Sequence, residues 1–104
     1  MSPFVKIATR DELPVGGKKV LELDGRAIAL FNVAGEYHAI DDVCTHDGGP
    51  LAEGELIDCE IQCPRHGARF DLKTGRPLCM PAIEPVTVHA VEVRGADIYV
   101  AINE

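Results

Sequence analysis

Short apolar–polar alternations, each only a few residues long, fill most of this chain and are separated by glycine, proline and aspartate turns. A period of two marks half-buried strands. The first candidate strand covers residues 4–9. Residues 10–17 hold Pro14 and two glycines and read as a turn, with room for one helical turn at Asp11-Glu12-Leu13. Residues 19–23 and 26–33 flank Asp24-Gly25, a two-residue hairpin signal. Ala34-Gly35 then turns the chain into 36–40. Residues 56–63 alternate, with Ile57, Cys59, Ile61 and Cys63 in one phase and Asp58, Glu60 and Gln62 in the other, which predicts one half-buried strand. Residues 69–72 form a further short strand closed by Lys73-Thr74-Gly75. Residues 86–93 and 97–102 read as a hairpin about Arg94-Gly95-Ala96. Val86, Val88 and Ala90 share a phase that Val91 and Val93 break, so this strand carries either a bulge near Ala90 or burial on both faces. No helix of ordinary length is signalled. The expected fold is all-β, a small antiparallel sandwich of packed sheets.

At 104 residues the chain is expected to be one domain spanning 1–104, with 46% apolar residues to build a core. The net charge of −7 disfavours a nucleic-acid or anionic-membrane partner and favours a protein with a basic docking patch. Apolar runs such as Ala27-Ile28-Ala29-Leu30-Phe31 fall far short of the roughly 20 residues of a membrane span. Residues 1–10 have no signal-peptide core. A cytoplasmic location is therefore expected, and with it reduced thiols for the four cysteines.

The distinctive chemistry sits in two short segments, Cys44-Thr45-His46 and Cys63-Pro64-Arg65-His66-Gly67, with sixteen residues between His46 and Cys63. Each places a thiol beside an imidazole. Two Cys and two His can hold a structural zinc ion, although zinc sites commonly pair like ligands within a segment. Two mixed loops facing each other would instead gather two sulfurs on one side and two imidazoles on the other. That division suits two metal ions with different ligands, as in a [2Fe–2S] centre where His replaces Cys on one iron.

The segments Cys44-Thr45-His46-Asp47-Gly48-Gly49-Pro50 and Cys63-Pro64-Arg65-His66-Gly67 resemble the two cluster-binding loops of the Rieske family, C-x-H and C-P-x-H-G. Phe70-Asp71, Thr74-Gly75 and the late Pro81 to Pro85 stretch extend the resemblance over most of the chain. It implies a Rieske-like fold with both loops at one tip and one Rieske [2Fe–2S] cluster. Cys44 and Cys63 would bind the inner iron, and His46 and His66 the outer iron. Gly48, Gly49 and Gly67 would bring backbone N–H groups close to the sulfides, and Pro81 belongs to a segment that packs over the cluster.

Quinol-oxidising members of the family carry an extra cysteine in each loop, joined as a disulfide, and often a hydroxyl after the second His-Gly. Here those places hold Gly49, Arg65 and Ala68. Fewer donors toward the cluster imply a low potential, near the roughly −150 mV end of the Rieske range. Oxygenase members add a catalytic domain, for which this chain has no room. The resemblance therefore implies a ferredoxin, a one-electron carrier with no bond chemistry of its own. It would take electrons from a flavin-dependent reductase and deliver them to a terminal, aromatic-ring-hydroxylating oxygenase. The first loop, without an aromatic residue, also resembles Rieske-like small subunits of nitrite reductases. A zinc-stabilised, non-redox binding module is the alternative from a different class.

The other chemistry-bearing residues have plainer readings. Cys59 is expected as core filler, with a Cys59–Cys79 disulfide as the alternative. His38 and His89 are expected to be structural or surface residues. Arg65 reads as a solvated loop residue or a docking contact, and Asp41-Asp42 as a solvated turn or part of a docking face.

Overall fold

The computed structural model describes residues 4–45, 49–64, 67–78 and 84–103. Among them nine strands run in the order β1 (Val5–Thr9), β2 (Lys18–Leu23), β3 (Arg26–Val33), β4 (Glu36–Asp41), β5 (Glu55–Ile57), β6 (Glu60–Gln62), β7 (Arg69–Asp71), β8 (Val88–Arg94) and β9 (Asp97–Ala101). Two 3₁₀ turns, Arg10–Glu12 and Leu51–Glu53, are the helical content of the described residues. No helix among those residues is long and apolar enough to cross a membrane.

Every strand pairing is antiparallel. Six strands form one sheet in the order β1-β9-β8-β4-β3-β2, and β5-β6-β7 form a second. The Asp24-Gly25 signal is realised as expected. Both residues have positive φ, 53° and 77°, and the flanking strands pair from Leu23↔Arg26 to Lys18↔Phe31. Ala34-Gly35 makes the same kind of turn, at 53° and 92°.

The burial of β3 organises the interior. Ile28 and Leu30 point into one buried cluster with Ala8, Leu13, Ala39, Ile98 and Val100. Ala29 and Phe31, on the opposite face, join a second cluster with Ile40, Cys44, Leu51, Ile61, Cys63, Phe70, Leu72 and Val86. The first cluster holds residues from both ends of the six-stranded sheet, so that sheet curls on itself and encloses them. Its two edges are joined where Lys19 Nζ on β2 donates to the Ile7 carbonyl on β1 at 2.9 Å. The second cluster lies between the outer face of β3 and β4 and the three-stranded sheet, and it contains both loop cysteines.

One expectation needs correction, and one alternative left open is decided. Residues 56–63 are not one strand. Asp58, at φ 53°, opens a tight turn, and β5 folds back on β6 with Leu56 opposite Ile61. Aspartate tolerates the left-handed region better than most residues. The two-residue reversal inverts the phase, so Leu56 rather than Ile57 packs on the cysteine-containing core beside the buried Ile61. Cys59 therefore lies in the turn and not on a strand face, though it still packs partly against that core. The change of phase along β8 involves no bulge, because its register with β9 is unbroken from Ala90↔Ala101 to Arg94↔Asp97. Instead its first half is at least partly buried on both faces, while Ala90 and Val93 are exposed. Val88 packs on the cysteine-containing core and Val91 on the other.

Candidate cluster-binding site

Both cysteines stand at the base of a loop closed in the same way. Cys44 N–H donates to the Gly49 carbonyl at 2.7 Å, and Cys63 N–H donates to the Ala68 carbonyl at 2.6 Å. In each case the partner lies five residues on, so each cysteine stands at the neck of its loop. The second loop is the end of the β6–β7 hairpin, directly beyond the Gln62↔Arg69 pair. Within it, Gly67 has φ +76° and its N–H donates to the Cys63 carbonyl at 3.2 Å. Cys44 and Cys63 are each 1% exposed and belong to one apolar cluster.

His46, Gly48, Arg65, His66, Cys79 and Pro81 lie outside the described residues. What is described are the necks of both loops, which the fold brings to one core from β4 and from the β6–β7 hairpin, 19 positions apart in sequence (63 − 44).

The first loop is fastened at several points. Thr45 Oγ1, between two expected ligands, donates to the Glu84 carbonyl at 2.7 Å and so ties the loop to the residues after Pro81. Behind the loop, the Asp42 carboxylate accepts the Ala52 N–H at 2.7 Å, and Lys18 Nζ donates to the Ala52 carbonyl. The Thr74-Gly75 pair has a related role. Gly75 N–H donates to the Asp71 carbonyl at 2.7 Å, and the Gly75 carbonyl accepts Val86 N–H at 2.9 Å. A Cβ at Gly75 would stand 2.1 Å from the Val86 oxygen, at a φ of +79°. Glycine is therefore required where the second hairpin meets the late proline segment.

Sequence reasoning misread the acidic pair. Asp41 and Asp42 form neither a solvated turn nor a docking face. Asp41 holds Arg26 at 2.9 Å and His89 Nε2 at 2.7 Å. Asp42 is 8% exposed and turned inward. His89 is structural, as expected. Its Nδ1 accepts the Asn103 N–H at 3.0 Å, so the proton sits on Nε2, which donates to Asp41. His38 Nε2 lies 3.7 Å from Cys59 Sγ and 3.7 Å from Glu36 Oε2. Burial holds the His38 ring below the usual imidazole range against the pull of Glu36, and burial pushes the Cys59 thiol up against the pull of Lys73.

Two thiols within one apolar core, at the necks of loops that each carry a histidine further on, suit a group with sulfur ligands inside and nitrogen ligands outside. The family model of the Rieske [2Fe-2S] domain matches residues 3–94. The chain belongs to the Rieske family. It accordingly carries one Rieske-type [2Fe–2S] cluster, which takes up and releases a single electron when bound, and the zinc alternative falls away.

Rieske relatives place it further. It is 49% identical over 78 residues, 74% of each chain, to the 3-phenylpropionate/cinnamic acid dioxygenase ferredoxin subunit of Escherichia coli (strain K12), and equally to that of Shigella boydii serotype 4 (strain Sb227). Among solved structures, the ferredoxin of carbazole 1,9a-dioxygenase from Nocardioides aromaticivorans IC177 superposes with a TM-score of 0.93 at 34% identity, covering 98% of this chain and 100% of that one. A chain from the complex of reduced oxygenase and oxidized ferredoxin in carbazole 1,9a-dioxygenase gives a TM-score of 0.89 at 32% identity, covering 94% and 92%.

Proposed function

We propose that this Rieske protein is the ferredoxin of a ring-hydroxylating dioxygenase system, a diffusible cytoplasmic one-electron carrier that delivers to a terminal oxygenase and performs no bond chemistry itself. The observation that carries this reading is the match, over nearly the whole length of both chains, to a dioxygenase ferredoxin. The ferredoxin-subunit relatives point the same way, and no observation favours the nitrite-reductase reading over it. The chain acts as a single domain, and a flavin-dependent reductase supplies the electrons.

In this reading Cys44 and Cys63 hold the cluster from the core side, and His46 and His66 hold it at the tip. Gly48, Gly49 and Gly67 let the backbone approach, and Pro81 belongs to the cover. The chain's own contribution is to keep the thiolates in an apolar setting and the loop necks fixed, so that electron transfer requires little rearrangement. Ala68 supplies no hydroxyl at the second loop.

Voltammetry of the purified protein tests the class. The expected midpoint is near about −150 mV and flat through neutral pH. A midpoint well above zero that falls with pH near neutrality would point to the quinol-oxidising class and sink the proposal.

A further inference from the structure

The backbone of Ala52 is gripped on both sides by charged groups, one on each of its two peptide units. Its N–H is bonded by the Asp42 carboxylate at 2.7 Å and its carbonyl by the Lys18 ammonium. Asp42 is itself held from behind, since its N–H donates to the Ala27 carbonyl of β3 at 2.9 Å. A carboxylate with 8% exposure is a costly way to fasten a short 3₁₀ turn, because burying an ionised group is unfavourable unless it is bonded, and the exposed Lys18 reaches across from β2 to the same residue.

The position of that turn gives the reason. Leu51 and Ala52 are 0% and 2% exposed and lie in the same apolar cluster as Cys44 and Cys63. The turn therefore forms part of the wall around the two sulfurs. Gly54, directly after it, is pressed so closely on β6 that a Cβ there would stand 1.7 Å from the Gln62 oxygen, one residue before Cys63. The turn thus spans from the neck of one loop to the neck of the other.

We propose that Asp42 and Lys18 are positioning residues for the cluster. By gripping Ala52 they hold the Leu51–Glu53 turn against the two cysteines, which keeps water from the sulfurs, and the negative charge of Asp42 lowers the reduction potential. This rests on Cys44 and Cys63 being cluster ligands. A parent protein that binds no cluster would defeat that reading and this one with it, whereas a loaded parent whose variants behave like it would defeat this one alone.

The test uses the cluster-loaded full chain and the variants Asp42→Ala, Asp42→Asn and Lys18→Met. Three quantities are read: the reduction potential, the electron paramagnetic resonance of the reduced cluster, and the rate at which visible absorbance is lost in air. Losing one charged hydrogen bond should speed cluster loss by on the order of fivefold or more in Asp42→Ala and Lys18→Met. Asp42→Asn keeps an acceptor oxygen, so it should lose the cluster at close to the parental rate. Its potential should nevertheless rise, because the charge is gone. A merely structural residue would lower the melting temperature and leave the potential and resonance of the surviving cluster unchanged. Parental rates in both Asp42→Ala and Lys18→Met would overturn the proposal, as would an unchanged potential in Asp42→Asn. If Asp42→Ala does not fold, Asp42→Asn and Lys18→Met still decide it.

Discussion

At Ala68 the second loop presents a methyl group where quinol-oxidising Rieske proteins often have a hydroxyl. The side chain is 0% exposed and packed in the cysteine-containing core, while its carbonyl closes the loop on Cys63 N–H. Adding a donor here should favour the more electron-rich reduced form. Ala68→Ser is expected to raise the midpoint by on the order of 60 mV, the equivalent of a roughly tenfold preference for the reduced state in a one-electron couple. Voltammetry of parent and variant side by side checks this. No rise would mean that the added hydroxyl bonds elsewhere. The identity of residue 68 could be read from sequence. The directions of Asp41 and Asp42 could not, because the partners they turn toward, Arg26, His89 and Ala52, are far from them along the chain.

At the scale of elements, the loops depend on the hairpins and turns behind them. The β6–β7 hairpin carries Cys63, and its following turn is fastened through Gly75 to the backbone of Val86. Gly75→Ala must both adopt a left-handed φ and displace the Val86 carbonyl, so it should destabilise the protein by about 2 kcal/mol or more. Thermal unfolding of the loaded protein gives the measurement, with Gly95→Ala as the comparison. Gly95 also has positive φ, but a Cβ there meets nothing within 4 Å. Equal losses in the two variants would show that strain alone, and not the contact with Val86, sets the requirement. The Asp24-Gly25 hairpin was readable because its turn chemistry is local. The β5–β6 reversal was missed because Asp58-Cys59 lacks glycine, and because a two-residue turn interrupts an alternation without leaving a gap in it.

At the scale of the whole molecule, charge governs encounter. A net charge of −7 would favour approach to a basic partner, and the one electron taken up adds one more negative charge. The association rate with the terminal oxygenase should therefore fall by roughly tenfold or more between low salt and about 0.5 M salt, with much less effect on the electron-transfer step within the complex. Stopped-flow measurements across salt concentrations separate the two, and a salt-independent association rate would remove steering from the account. Asp41 and Asp42 take no part in this surface, since both are committed to internal partners.

The amino-acid sequence by itself determined the strand rhythm, the turns built from Asp-Gly and Ala-Gly, the acidic balance and the two Cys–His segments. Those features rest on neighbours within a few positions, where side-chain period and backbone conformational preference act directly. Only the tertiary structure decided which faces of β3 and β8 are buried, that both cysteines enter one core, and that Asp42 and Lys18 meet at Ala52. It also brought Thr45 to the carbonyl of Glu84. Each of these joins residues distant in sequence, and their meeting depends on how the six-stranded sheet curls and where the three-stranded sheet packs against it, which no local pattern encodes.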